Sequence, residues 1–251
     1  MKFDNKTILI TGASAGIGKA LGEKLIETSC KLILVSRKTK KIVTWVNEIK
    51  NPKAKILILY NDVADKNSVN DVYQKSISEF GNIDVAILNS GVAEKITPQN
   101  FNSDVAEKII NTNFLGAVYW IEQILPTMLK RGKGIIAPVS SLADNRGYSG
   151  SGFYSASKAA LSVFAEGLTL ELKKHGIKVL TIKPGFVKTS MTDKNKFRMP
   201  FIISPQLAAE YILSGIEKEK RIIQFPFAAV VGSKIMRVLP YRIIEKLLIK
   251  K

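Results

Sequence analysis

Thr11-Gly12-Ala13-Ser14-Ala15-Gly16-Ile17-Gly18 follows a short apolar run at 6–10 and opens an amphipathic stretch at 16–28. A glycine-rich turn between a strand and a helix lets the backbone approach a pyrophosphate, whose charge meets free N–H groups at the helix N-terminus. The spacing is G-x-x-x-G-x-G and departs from the commoner G-x-G-x-x-G; the same turn would also serve simply to pack helix on sheet. Outward from it, apolar runs at 31–35, 55–60, 83–88, 133–139, 177–182 and 221–225 read as strands. Stretches at 39–50, 66–79, 101–130, 153–174 and 204–217 read as helices. This alternation predicts an α/β fold, a Rossmann-type doubly wound parallel sheet of about seven strands with helices on both faces. One domain covers 1–225, and 226–251 forms a basic amphipathic tail.

The 251 residues are 46% apolar and 24% charged, the balance of an ordinary globular chain. With 38 Lys+Arg against 21 Asp+Glu the net charge is +17, which suits a phosphate-bearing ligand, an anionic membrane surface or nucleic acid alike. The lysines are scattered and no nucleic-acid motif accompanies them, so no nucleic-acid partner is expected. Cys30 is the single cysteine, which excludes an internal disulfide, leaves no metal-ligand cluster and points to a reducing compartment. No apolar leader and no uncharged apolar run of spanning length occur, so a cytoplasmic protein is expected.

The second strand ends at Ser36-Arg37-Lys38, where dinucleotide folds place the residue that reads the ribose. An acidic residue there would pair with the free hydroxyls of NAD. A hydroxyl and a guanidinium suit a 2′-phosphate, which predicts NADP(H) preferred over NAD(H). After the third strand, Asp62 either accepts from an adenine amino group, with Val63 as apolar neighbour, or caps the helix that follows. Asn89-Ser90-Gly91 is a small-residue turn in which backbone passes close to cofactor and Asn89 cross-links strand ends. Asn111-Thr112-Asn113-Phe114-Leu115-Gly116 sets two asparagines and a glycine inside an apolar helix, against local preference, as functional sites do. Asn113 is expected to bond backbone in a locally opened turn and to hold a water there. In Tyr154-Ser155-Ala156-Ser157-Lys158 the phenol and the ammonium share one helix face, just downstream of Ser140 and Ser141.

Taken together, these motifs and Pro184-Gly185 resemble the short-chain dehydrogenase/reductase family, in its compact single-domain branch, over residues 6 to about 190. The resemblance implies NAD(P)-dependent hydride transfer between a carbonyl and an alcohol. Ser141, 13 residues before the tyrosine, matches the substrate-positioning serine, with Ser140 packing beside it. Tyr154 matches the catalytic acid/base, and Lys158 the lysine that bonds the nicotinamide ribose and depresses the phenol's pKa. Asn113 matches the asparagine that completes the tetrad through a water. Val187 and Thr189 match residues that bond the nicotinamide amide by backbone and by side chain. Relatives pair through the helices read at 101–130 and 153–174, which implies a homodimer or homotetramer. The alternative is an NADP(H)-sensing, non-catalytic or regulatory protein of the same fold. Its small-molecule partner would then be a ligand only.

Three departures from the family pattern stand out. Ser90 replaces an alanine, and no basic residue precedes Gly16, so cofactor selectivity rests on Ser36 and Arg37. Pro138 lacks a ladder N–H, which predicts a bulge or an early strand end just before Ser140 and a possible shift of Ser141.

Residues 186–203 carry Phe186, Met191, Phe197, Met199 and Phe201 among lysines and an arginine. They read as a substrate lid over a lipophilic, lipid-, steroid- or long-chain-like ketone, or as a loop packed on its own protein. In the tail, 232–251 sets six cations against Glu245 alone, and Pro240 divides it into two short helices. On the second, Tyr241, Ile244, Leu247 and Leu248 share a face opposite Arg242, Lys246 and Lys250. Such a helix either lies on anionic lipid, giving peripheral membrane contact, or docks over the pocket or a partner subunit.

Overall fold

The computed structural model describes residues 3–248 except Lys194 and Lys196. In chain order the elements are β1 (Thr7–Thr11), α1 (Gly16–Leu25), β2 (Lys31–Ser36), α2 (Thr39–Asn47), β3 (Lys55–Tyr60), α3 (Lys66–Phe80) and β4 (Val85–Leu88). There follow α4 (Ser103–Ile110), α5 (Gly116–Arg131), β5 (Gly134–Pro138), α6 (Gly152–Leu172), β6 (Ile177–Val179) and β7 (Thr181–Pro184). The chain ends through α7 (Pro205–Glu217), β8 (Ile222–Phe225), α8 (Phe227–Val238) and α9 (Tyr241–Leu248).

Among the described residues a parallel sheet runs in the order β3-β2-β1-β4-β5-β6, with β7 and β8 paired beyond it. Both faces are covered, so the strands read as unbroken apolar runs and alternate residues enter two separate cores. Ile8, Ile10, Leu32, Leu34, Val85 and Ile87 pack against Leu21 of α1, Ile42 and Trp45 of α2, and Ile212 and Ile216 of α7. Leu9, Ile33, Val35, Ala86 and Leu88 face Val69 and Val72 of α3, Trp120 and Ile124 of α5, and Leu161 of α6. The order reverses between β1 and β4, and ligands of open α/β sheets bind at the carboxyl ends of the strands at such a switch point.

The run read as one strand at 177–182 is broken at Leu180 into β6 and β7. Pro138 explains where. In parallel β5, Ile135 and Val139 donate towards β4, whereas Ser140 donates to Ile182 O (2.7 Å) on the other side. The donor that Pro138 lacks falls on that second side, opposite the β6–β7 break. β5 therefore ends at Pro138 without a bulge, and Val139 continues only as an isolated bridge to Ile182.

The helix expected at 101–130 is likewise interrupted. A π turn, Asn111–Leu115, separates α4 from α5, at the Asn-Thr-Asn-Phe-Leu segment whose composition disfavours helix. Single π turns of this kind are frequent at functional sites.

Candidate active site

The turn from Gly12 to Gly18 lies at the end of β1. Gly12 has φ +70°, a left-handed conformation that favours glycine, and a Cβ on Gly18 would lie 2.3 Å from Gly12 O. Ala15 caps α1 with no side-chain hydrogen bond, so the first-turn N–H groups of Gly16, Ile17 and Gly18 remain for an anion. A Cβ on Gly16 would lie 2.9 Å from Thr189 Cγ2, which puts the segment after β7 directly beside this turn. The cradle fits the pyrophosphate of a dinucleotide.

Around it the strand ends assemble the other named residues. Asn89 Nδ2 donates to Thr11 O (3.0 Å) and Gly12 O (3.4 Å), cross-linking the end of β4 to the glycine turn. Ser36 Oγ donates to Ser14 Oγ (3.0 Å), and the half-exposed Arg37 guanidinium stands 3.6 Å from Asp62 Oδ2. Asp62 Oδ1 accepts from Ala64 N (3.1 Å), while the cap of α3 is Asp65, which accepts from Asn67 N (2.9 Å). Asp65 therefore caps α3, and Asp62 closes a turn in the loop before it. Val63 is buried beside it, tight against Gly116 at the start of α5.

The second half of the site is a buried polar network on α6. Lys158, 3% exposed, donates from Nζ to Val139 O (2.7 Å), and its own carbonyl accepts from Ser140 Oγ (2.9 Å). Ser140 is thus a fastener between β5 and α6. Asn113 Oδ1 accepts from Val92 N (2.7 Å), while its Nδ2 donates to Val92 O (2.9 Å) and Ser157 Oγ (3.0 Å). This clamps the Gly91–Val92 backbone next to Lys158. The Ser141 hydroxyl lies near enough to the Tyr154 phenol to lower its pKa, and it accepts from Ala143 N (3.1 Å). Of the two outcomes expected from Pro138, the strand ends early rather than bulging, just before Ser140 and Ser141.

Burial pushes the Tyr154 phenol above its usual pKa, opposed by the Ser141 hydroxyl and reinforced by the Asp144 carboxylate. The depression expected from Lys158 does not come from the chain's own groups. The ammonium is turned into the Val139 carbonyl, 5.9 Å from the phenol ring centroid. Burial brings the Lys158 pKa down from 10.5 to about 8.

Sequence reading missed Asp144. It follows Ser141 by one short helical turn, its side chain almost enclosed, and accepts from Lys183 Nζ at 2.7 Å and from Ser162 Oγ. Ser162 Oγ also lies 2.8 Å from Ser140 Oγ, so one polar cluster runs from Lys183 to the Lys158 carbonyl. Its members come from three segments, the turn after β5, α6 and β7, which topology alone brings together.

Downstream, Pro184 ends β7, and Gly185 N donates to Phe225 O (2.8 Å). Val187 bridges Ile203, closing the base of the 186–203 loop, and its carbonyl accepts from Thr192 Oγ1 (2.8 Å). Thr189 N donates to the same hydroxyl (2.8 Å). Within the loop the Phe186 and Phe197 rings meet edge-on, 6.0 Å apart.

Residues 6–199 match the family described as short chain dehydrogenase. The chain belongs to that family. An uncharacterised oxidoreductase of Myxococcus xanthus is 32% identical over 235 residues, 94% of this chain and 93% of the relative. A ketoacyl reductase of Nostoc is 30% identical over 218 residues, 85% of this chain and 76% of the relative. The crystal structure of a short-chain dehydrogenase/reductase from Burkholderia phymatum in complex with NAD superposes with a TM-score of 0.84 at 20% identity. That superposition covers 100% of this chain and 98% of the other, and it shares the fold. As a short-chain dehydrogenase the chain is an oxidoreductase.

Proposed function

We propose that this chain is an NADP(H)-dependent oxidoreductase acting between a carbonyl and a secondary alcohol of a lipophilic, lipid-, steroid- or long-chain-like substrate. The observation that carries the reading is the buried Lys158 ammonium held on the Val139 carbonyl, 5.9 Å from the Tyr154 ring, with the Ser141 hydroxyl beside the phenol. Gly12, Ser14, Gly16, Ile17 and Gly18 would hold the pyrophosphate, Ser36 and Arg37 the 2′-phosphate, and Asp62 and Val63 the adenine. Asn89, Gly91, Pro184, Gly185, Val187 and Thr189 would line the nicotinamide half, together with Tyr154 and Lys158. Bound there, the nicotinamide supplies hydride to the carbonyl carbon, or removes it from the alcohol.

The chain's own part is proton management. A phenol held above its usual pKa keeps its proton through neutral pH, so Tyr154 is ready to donate to the carbonyl oxygen while Ser141 steadies that oxygen. Lys158, anchored on the Val139 carbonyl, would bond the ribose of a bound nicotinamide nucleotide beside the phenol. Asn113 keeps the Gly91–Val92 backbone, and with it the floor under Lys158, in place.

Phe186, Phe197 and Met199 support a lipophilic substrate. Val163 and Leu170, exposed along α6, support a homodimer or homotetramer. Oxidation of NADPH and NADH across ketones of increasing chain length tests the whole reading. Efficiency should favour NADPH and rise with chain length. Arg37→Glu should lower NADPH efficiency roughly tenfold to a hundredfold, the worth of a charge-assisted phosphate contact. Equal efficiency with both cofactors would remove the NADP(H) assignment.

A further inference from the structure

The first tail helix, α8, has an inner face that is fastened and an outer face that is not. On the inner side Asn145 Nδ2 donates to Ser233 O (2.9 Å), and Ser233 Oγ donates to Leu142 O (3.2 Å). Arg146 Nη1 donates to the carbonyls of Met236 and Leu239, the latter at 3.1 Å. These ties hold the helix against the turn that follows Ser141. On the outer side Phe227, Val231, Ile235 and Val238 recur at helical spacing as one stripe, and Tyr241 and Ile243 extend it beyond Pro240. Phe227 is 83% exposed and Val238 78%. Lys234 lies within the stripe, Arg237 and Arg242 beside it, all exposed, and residues 226–244 contain no acidic side chain.

Of the apolar face expected on the second helix, Tyr241 is exposed and Ile244 buried, and α8 adds an exposed apolar face that sequence reading did not single out. The side chains of Lys246, Leu247 and Leu248, and residues Lys250 and Lys251, lie outside the described residues.

We infer that the outer face of α8, continued through Tyr241 and Ile243, is a docking surface for anionic lipid. Charge selects the occupant. A second copy meeting this face through a two-fold axis would bring Lys234, Arg237 and Arg242 against the same cations. A surface of anionic headgroups neutralises them, while the apolar stripe enters the acyl boundary and the long basic stems reach back to the headgroups. No described helix is long and apolar enough to cross a membrane, so the contact lies along the surface. Because the inner face is already fastened, the surface is pre-formed and binding requires no refolding. The inference stands apart from the redox reading.

The test is co-sedimentation of the full chain with vesicles of phosphatidylcholine alone and of phosphatidylcholine mixed with phosphatidylglycerol. Wild type should pellet with the mixed vesicles and be released by salt. Lys234→Gln/Arg237→Gln/Arg242→Gln should weaken binding roughly a hundredfold, at about 1 kcal/mol per cation near the surface. Ile235→Glu/Val238→Glu should weaken it at least about tenfold. Thermal midpoint and NADPH binding should be unchanged in both, since every altered side chain is exposed. Wild type that stays in the supernatant, or variants that pellet as well as wild type, would overturn the inference. So would a lipid-free dimer that the glutamate pair dissolves, which would make a second copy the occupant.

Discussion

Helices α6 and α8 both invert the ordinary distribution of side chains, in opposite senses. α6 takes Ser157 and Lys158 fully inside, whereas α8 leaves Phe227 and Val238 outside. A polar group inside must find its partners within the chain, because an unpaired one costs about 1–3 kcal/mol. Lys158 and Ser157 do so, on Val139, Tyr154 and Asn113. An apolar group outside completes its contacts only beyond the chain. Substitutions on α6 should therefore change chemistry and stability, and substitutions on the outer face of α8 should change association alone.

The sharpest way to break this contrast is Tyr154→Phe. It deletes one hydroxyl and leaves the ring in place. Turnover should fall roughly a thousandfold, the worth of a positioned general acid. NADPH binding, read by nucleotide fluorescence, should persist. Retained turnover would dissolve the distinction between the two helices.

Lys158→Met tests the same helix on two readouts. Its folded pKa, about 8, lies below the ordinary 10.5, so burying the charge costs stability. That cost, about 3 kcal/mol, is fully present below pH 8 and fades as pH rises from 8 towards 10.5. Methionine removes it but leaves the Val139 carbonyl without its donor, a loss of about 1–3 kcal/mol. At pH 7 the variant should melt no lower than wild type, and above pH 8 wild type should gain on it. Turnover should drop, by less than in Tyr154→Phe, because the proton donor remains. A variant that is both active and strongly destabilised would show Lys158 to be a structural fastener.

Which parts of this were readable from sequence follows from the range of the interactions. Alternating apolar runs gave the strands because both faces of each strand are covered, and Asn111 to Gly116 marked the π turn because its composition violates helix preference locally. The break at Leu180 escaped notice, since it depends on where the missing donor of Pro138 falls across the sheet. Asp144 escaped for the same reason: its partner Lys183 lies on β7, brought there by topology alone. Periodicity in the tail showed that the helices have two faces but not which one the protein covers. That is decided by Asn145 and Arg146, about ninety residues upstream of their partners.

Asp144→Asn should have the smallest effect of the three and is the finest probe of the α6 network. Asparagine keeps a side chain able to bond Ser162 but loses the charge that faces Lys183 and raises the phenol's pKa. Reduction needs Tyr154 protonated, so activity is present below the phenol's pKa and is lost as pH rises through it. Removing the carboxylate lowers that pKa, and the alkaline limb of kcat/KM for NADPH-driven reduction should move to lower pH, but only modestly, because burial is the larger cause. Cofactor affinity at neutral pH should be unchanged. Asp144→Ala should move the limb the same way with a lower melting temperature, since Lys183 and Ser162 both lose their acceptor. If neither variant moves the limb, Asp144 serves only to pin β7 to the turn after Ser141, and proton control on α6 rests on Tyr154, Ser141 and Lys158 alone.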